Sequence, residues 1–171
     1  MVISTKYIPD VRNIREIVLP RIPEFIINSL STDYNAYQAK WTETDDGKGI
    51  YVLSDSFNEE LNEWCRANIC DSILWEFQII TGDTYIHKDS DPHSLGEDPS
   101  LGLARVKFVY NIQTGGDNVR TEFFEDGTGI EMTDSYLLEA HKWYIFRTES
   151  WHRVVGIEPK KTRFAVVGHI F

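Results

Sequence analysis

From residue 72 onward the chain is cut into short apolar stretches by turn signals at close intervals. "SILWEFQII", "TYIHK", "ARVKFVYNI", "VRTEFF", "GIEM", "SYLLEA", "KWYIFRT", "WHRVVGI" and "TRFAVVGHIF" are each of strand length. They are rich in β-branched and aromatic residues. Between them stand "DSDPHSLGEDPSLG", "QTGGDN" and "EPKK", which are loop and turn compositions. Pieces this short and this apolar need partners on both sides. They predict a mainly β domain of the sandwich or jelly-roll kind.

The first part reads differently. Asp10 can cap a helical stretch with Val11, Ile14, Ile17 and Val18 on one face. Pro20 and Pro23 break it, and "PEFIINSL" restarts it. "YQAKWTETDDGKGIYVL" reads as a hairpin around the polar turn "TDDGKG". In "SDSFNEELNEWCRANIC", Ser56 and Glu59 form a capping box, and Phe57, Leu61, Trp64 and Cys65 follow helical spacing. A length of 171 residues suits one domain, with 1–71 as mainly helical support and 72–171 as the sheet.

A formal net charge of −10 argues against a basic surface for phosphates, so no nucleic-acid partner is expected. Cys65 and Cys70 form neither a CxxC pair nor a disulfide framework. The N-terminal "MVISTKYIPDVRNIREIVLP" carries charges throughout and has no long apolar core. No signal peptide, membrane span or membrane partner is expected, and a reducing cytoplasm is the expected location.

The chemistry is concentrated in a few residues. His87 and Asp89 stand two apart at the end of a strand, so their side chains share a side. Alone, such a pair is more often a solvated turn. His152, in "ESWHRVVG" near the start of a later strand, supplies a third ligand type. Two imidazoles and one carboxylate make the facial triad of non-haem Fe(II) sites, which leaves coordination positions open for a cosubstrate and oxygen. A 2-oxo acid chelating such an iron would bury its far carboxylate, which requires a cation. Arg163 follows His152 by 11 residues across "GIEPKK". If the two strands are antiparallel neighbours, it returns beside the histidine. A guanidinium fork suits a carboxylate.

With these residues in place the chain resembles a family. "HKD" at 87–89, "WHRV" at 151–154 and "TRFAV" at 162–166 look like the HxD…H…R signature of the Fe(II)/2-oxoglutarate-dependent oxygenases. "VYNIQTGGDNVRTEFF" and "KWYIFRTESWHRV" are similar to the prolyl-hydroxylase-like branch. The resemblance covers residues 72–171. It implies a double-stranded β-helix (jelly-roll or cupin-like, mainly β within α+β) supported by N-terminal helices. It implies Fe(II), 2-oxoglutarate and O2 as cofactors, with ascorbate as an optional addition. His87, Asp89 and His152 would be metal ligands, with Arg163 clamping 2-oxoglutarate. The branch places a tyrosine near the far carboxylate; Tyr85 and Tyr110 are both available, and Tyr110 is preferred. The reaction implied is hydroxylation of a C–H bond of a protein, peptide or small amino-acid-like substrate, with 2-oxoglutarate decarboxylated to succinate.

Other residues read more plainly. His93 and Asp91 are loop residues, His141 sits in a turn and His169 in a strand. Trp151 should point away from His152 and serve packing. Trp64, Trp75, Phe77 and Phe146 fit core positions. "GGD" at 115–117 lacks the GK[ST] element of a phosphate loop and is a strand connection. Specificity should lie in the loop 90–103 and the hairpin 40–55. Two rival classes remain: a non-catalytic cupin-like metal-containing binding protein, and a metal-dependent hydrolase or isomerase on a cupin barrel, against which Arg163 argues.

Overall fold

In the strand Val106–Gln113, Phe108 and Tyr110 point to one side while Lys107 and Val109 point to the other, yet all four are buried. A strand enclosed on both faces lies inside a layered structure. The computed structural model describes residues 3, 11–30, 40–43, 49–54, 58–70, 73–89 and 106–170. Its elements are β1 (Ile14–Ile17), α1 (Glu24–Ser29), β2 (Lys40–Glu43), β3 (Gly49–Ser54), α2 (Glu59–Asn68), β4 (Ile73–Ile80), β5 (Val106–Gln113), β6 (Arg120–Phe124), β7 (Met132–Leu137), β8 (Trp143–Arg147), β9 (Trp151–Val155) and β10 (Arg163–Ile170).

The strands form two antiparallel sheets. The larger has the order β1-β8-β5-β10-β4-β3-β2, and the smaller β7-β6-β9. The neighbours β1-β8, β8-β5, β5-β10, β10-β4 and β6-β9 are non-consecutive in sequence, because from β5 onward the chain passes repeatedly from one sheet to the other. This is a double-stranded β-helix. One face of the large sheet packs Phe77, Phe108, Tyr110, Trp143, Ile145, Phe164 and Val166 against Ile26 of α1 and Leu61 and Cys65 of α2. The opposite face presents Val109, Phe146, Ala165 and Val167 to Phe123 of the small sheet. Ile145 is fully buried in the helix-facing layer. Its truncation to alanine is expected to cost about 2–5 kcal/mol, from lost transfer energy plus the cavity left behind. Urea denaturation checks this, and a shift below about 1 kcal/mol would show that the layer collapses freely around the gap.

Three local expectations change. Residues 14–17 are not helical: Ile14–Ile17 pair with Phe146–Trp143 as the edge strand β1. Val18, assigned to a buried helix face, is 95% exposed. The cap of α2 is Asn58, whose side-chain oxygen accepts from the Leu61 amide at 2.8 Å. Ser56 of the expected capping box lies outside the described residues. The hairpin is present as β2 paired with β3, although its turn at 44–48 is outside the described residues. So are the loop 90–103 and, within it, Asp91 and His93. Cys65 and Cys70 are both buried and are not joined in a disulfide. No helix among the described residues is long and apolar enough to cross a membrane.

Candidate metal centre

The segment 83–87 runs along the free side of β9 and brings His87 to His152. Asp83 Oδ1 accepts from the amides of Gly156 (2.8 Å) and Ile157 (3.2 Å). The Thr84 amide donates to the Val154 carbonyl, and the Val154 amide donates back to Thr84 Oγ1. His87 and His152 then exchange both backbone hydrogen bonds, at 3.0 and 2.9 Å. Residues paired directly across an antiparallel ladder place their side chains on the same face. The imidazole centroids are 4.5 Å apart.

Each ring is oriented from behind. His87 Nδ1 is 2.9 Å from the Tyr85 carbonyl, and His152 Nδ1 is 2.8 Å from the Ser150 carbonyl. A carbonyl only accepts, so Nδ1 carries the hydrogen in both rings. The Nε2 lone pairs are left to face Asp89. His87 Nε2 is 3.5 Å from Asp89 Oδ1, and His152 Nε2 is 3.7 Å from Asp89 Oδ2. One donor atom from each of the three residues lies within 4.8 Å of the others. Donors with bonds of about 2.1 Å to one ion are separated by roughly 3 Å at right angles and 4.2 Å when opposite. The donor set therefore fits a single divalent ion with small side-chain adjustments.

Protonation suits the same use. Burial pushes His152 down to about 3, with the Asp89 charge acting against that shift. It is a neutral donor at neutral pH. Burial alone would raise Asp89, but Lys107, then His152 and His87, hold it well below the usual carboxylate range. It is an anion.

The enclosed cavity at this place is about 50 Å³. Gln78, Thr84, Lys107, Thr121 and Arg163 line it together with the three donors. Arg163 reaches it, but not as a hairpin neighbour of His152. β9 belongs to the small sheet and β10 to the large one, so the arginine approaches across the sandwich. Its place is fixed by the Gly-Gly turn. Gly115 has φ +84, and a Cβ there would stand 3.0 Å from the Arg163 amide nitrogen. Gln113 Nε2 also donates to the Thr162 carbonyl at 2.6 Å. Arg163 is 4% exposed, and its Nε donates to Asn111 Oδ1 at 2.8 Å. Burial pulls it down to about 10, opposed by Asp89, so it stays cationic at neutral pH. Among the described residues, no carboxylate forms an ion pair with it.

Tyr110 does not join this group. Strand alternation turns it to the helix side of β5, where it packs on Trp143 with centroids 4.9 Å apart and its hydroxyl lies 3.3 Å from His141 Nδ1. The inward neighbours on β5 are Lys107, Val109 and Asn111. Tyr85, the other tyrosine considered, is 44% exposed and stacks near His87. Trp151 points outward as expected, against Lys88, whose Nζ is 4.9 Å from its ring. His141 is in a turn with φ 61. Phe146 is buried as expected but lines the cavity, edge-on to His152.

The residue overlooked in the sequence is Lys107. It is 6% exposed, its Nζ forms an ion pair with Asp89 Oδ2, and it lies 4.7 Å over the Phe146 ring. The available signal was parity: in "VKFVYNI" the polar residues Lys107 and Asn111 share one face while Phe108, Tyr110 and Ile112 share the other.

No protein-family model matches the chain, and no curated protein matches it. Among solved structures, an oxidoreductase of the 2OG-Fe(II) oxygenase family from Burkholderia pseudomallei superposes with a TM-score of 0.50 at 9% identity, covering 85% of this chain and 75% of that one. Bacillus subtilis oxalate decarboxylase superposes at 0.43 with 11% identity, over 76% of this chain. The match spans only 27% of the decarboxylase chain. At such identity the likeness to the oxygenase concerns the fold alone, and it agrees with the double-stranded β-helix formed by the two sheets. Within that architecture, the described residues bring together a His-Asp-His set able to hold a metal.

Proposed function

We propose that this chain is an Fe(II)- and 2-oxoglutarate-dependent dioxygenase of the prolyl-hydroxylase-like kind, acting as one domain over residues 1–171. The observation that carries the reading is the meeting of His87, Asp89 and His152 in one cavity with a buried Arg163 that has no carboxylate partner among the described residues. A metal site alone fits many reactions. A metal site with a buried guanidinium in the same cavity fits a ligand that chelates the metal and carries a second carboxylate.

In this reading His87, Asp89 and His152 would hold the iron. Iron bound there would, with 2-oxoglutarate and O2, supply the oxidising power for C–H hydroxylation, the oxo acid being converted to succinate and CO2. Arg163 takes the far carboxylate of 2-oxoglutarate. Asn111 Nδ2 and Thr121 Oγ1 are buried without a hydrogen-bond partner. Buried polar atoms left this way await one, and they replace Tyr110 as the polar groups accompanying Arg163. Ile80, Val109, Phe146 and Val154 line the remaining wall and exclude water. The primary substrate is a small amino-acid-like molecule or a peptide or protein side chain, met in the cytoplasm, with no nucleic acid or membrane involved. Ascorbate would serve only as an auxiliary reductant.

The test is product formation. Protein loaded with Fe(II) and supplied with 2-oxoglutarate, O2 and a mixture of amino acids and peptides is expected to release succinate. Metal binding without any succinate would instead favour a cupin-like binding protein.

A further inference from the structure

Lys107 adds a second cation to the cavity, and it stands at the metal end. Its Nζ contacts Asp89 Oδ2, so it lies beside any ion that Asp89 holds. It projects from β5, which is flanked on both sides by β8 and β10. Phe146, beneath the ammonium at 4.7 Å, also packs edge-on against His152 with centroids 5.1 Å apart. The lysine is therefore fixed relative to two of the three donors.

Charge then restricts the ligand. Among the described residues, the cavity lining contains one carboxylate, Asp89, and two fixed cations, Lys107 and Arg163. A divalent ion would leave three positive charges in excess in a buried space. Such charges need paired anions. A monocarboxylate offsets one of them and a dicarboxylate two. Once Asp89 shares its charge with an ion, Lys107 loses part of its own counter-charge. An anion on the open side of that ion is the nearest replacement.

We propose that Lys107 binds the carboxylate next to the 2-oxo group of the cosubstrate, while Arg163 binds the carboxylate at the far end. The proposal rests on the metal and 2-oxo acid reading above, and adds a role for a residue that this reading leaves without one. The two cations then recognise different ends of one dicarboxylate. Along β5, Lys107 and Arg163's partner Asn111 both point inward with Val109 between them, so the two anionic ends lie over an apolar rung.

Pyruvate and 2-oxoglutarate separate the roles, because they share the 2-oxo-carboxylate end and differ in the far carboxylate. Each is titrated without oxygen into Mn(II)-loaded wild type, Lys107→Met, Lys107→Arg and Arg163→Ala, after Mn(II) binding has been measured in each. Lys107→Met is expected to weaken both acids by the same factor, at least about tenfold. Lys107→Arg recovers part of the loss for both. Arg163→Ala weakens 2-oxoglutarate and leaves pyruvate unchanged. If Lys107→Met leaves both acids unchanged, or weakens 2-oxoglutarate alone, the assignment is wrong. If both Lys107 variants lose Mn(II) while wild type binds it, the lysine only supports Asp89 and the proposal fails. If wild type itself binds no Mn(II), the metal reading falls with it.

Discussion

Mn(II) affinity is expected to fall by more than about 100-fold when any one of His87, Asp89 or His152 is changed to alanine. Loss of an outer partner of a metal ligand already costs roughly 10–100-fold, and loss of the ligand itself exceeds that. The three variants differ in what else they disturb. His87 and Asp89 have side chains 14% and 13% exposed, whereas His152 is 3% exposed between Phe123 and Phe146. His152→Ala therefore also leaves a hole among aromatic rings. Asp89→Ala strands the buried Lys107 ammonium, which costs about 3–5 kcal/mol of stability for a broken buried pair. His87→Ala gives the cleanest reading of coordination. Anaerobic titration followed by Mn(II) magnetic resonance measures the change, with circular dichroism as a check on folding. Binding close to wild type in all three variants would sink the metal assignment.

Arg163→Ala is expected to weaken 2-oxoglutarate by a factor between about 30 and several thousand. Removing one partner of a buried charge pair costs roughly 2–5 kcal/mol, at about 1.4 kcal/mol per decade. Mn(II) affinity should stay nearly constant, because Arg163 approaches from the opposite sheet and is not a donor. Arg163→Lys recovers part of the affinity, since it keeps the charge and loses the two-bond fork. Its loss also removes the partner of Asn111 Oδ1, so a thermal melt of each variant belongs beside the titration. Unchanged 2-oxoglutarate affinity in Arg163→Ala would show that the far carboxylate, or the whole cosubstrate, has been misassigned.

The strands and the three donors were legible because strong local signals carried them. Turn residues marked the strand ends, and His87 and Asp89 announced themselves by spacing. What local pattern could not supply was the sheet to which each strand belongs. The 156–162 connection looks like a hairpin turn, yet it carries the chain from the small sheet to the large one. Arg163 reached the expected cavity by an unexpected route. In β1, Ile14 and Ile17 stand three apart, which suits one face of a helix; as a strand they face opposite layers, Ile14 the inter-sheet side and Ile17 the helix side, and pairing with β8 decides between the two. Tyr110 was chosen by residue type. Strand parity, which assigns it to the helix-facing layer, was the better guide. The same parity singles out Lys107, the charged residue on the sandwich-facing side of β5, which it shares with Val109 and Asn111.

The division of labour between the sheets has a mechanical side. The imidazole donors hang from the small sheet and its flanking segment, while both cations project from the large one. A dicarboxylate held by both cations would thus be tied to the large sheet at each end, and only an ion shared with His87 and His152 would join it to the small sheet. The cross-link between the sheets would then be the ion and not the organic ligand, so turnover of the ligand would leave that link in place.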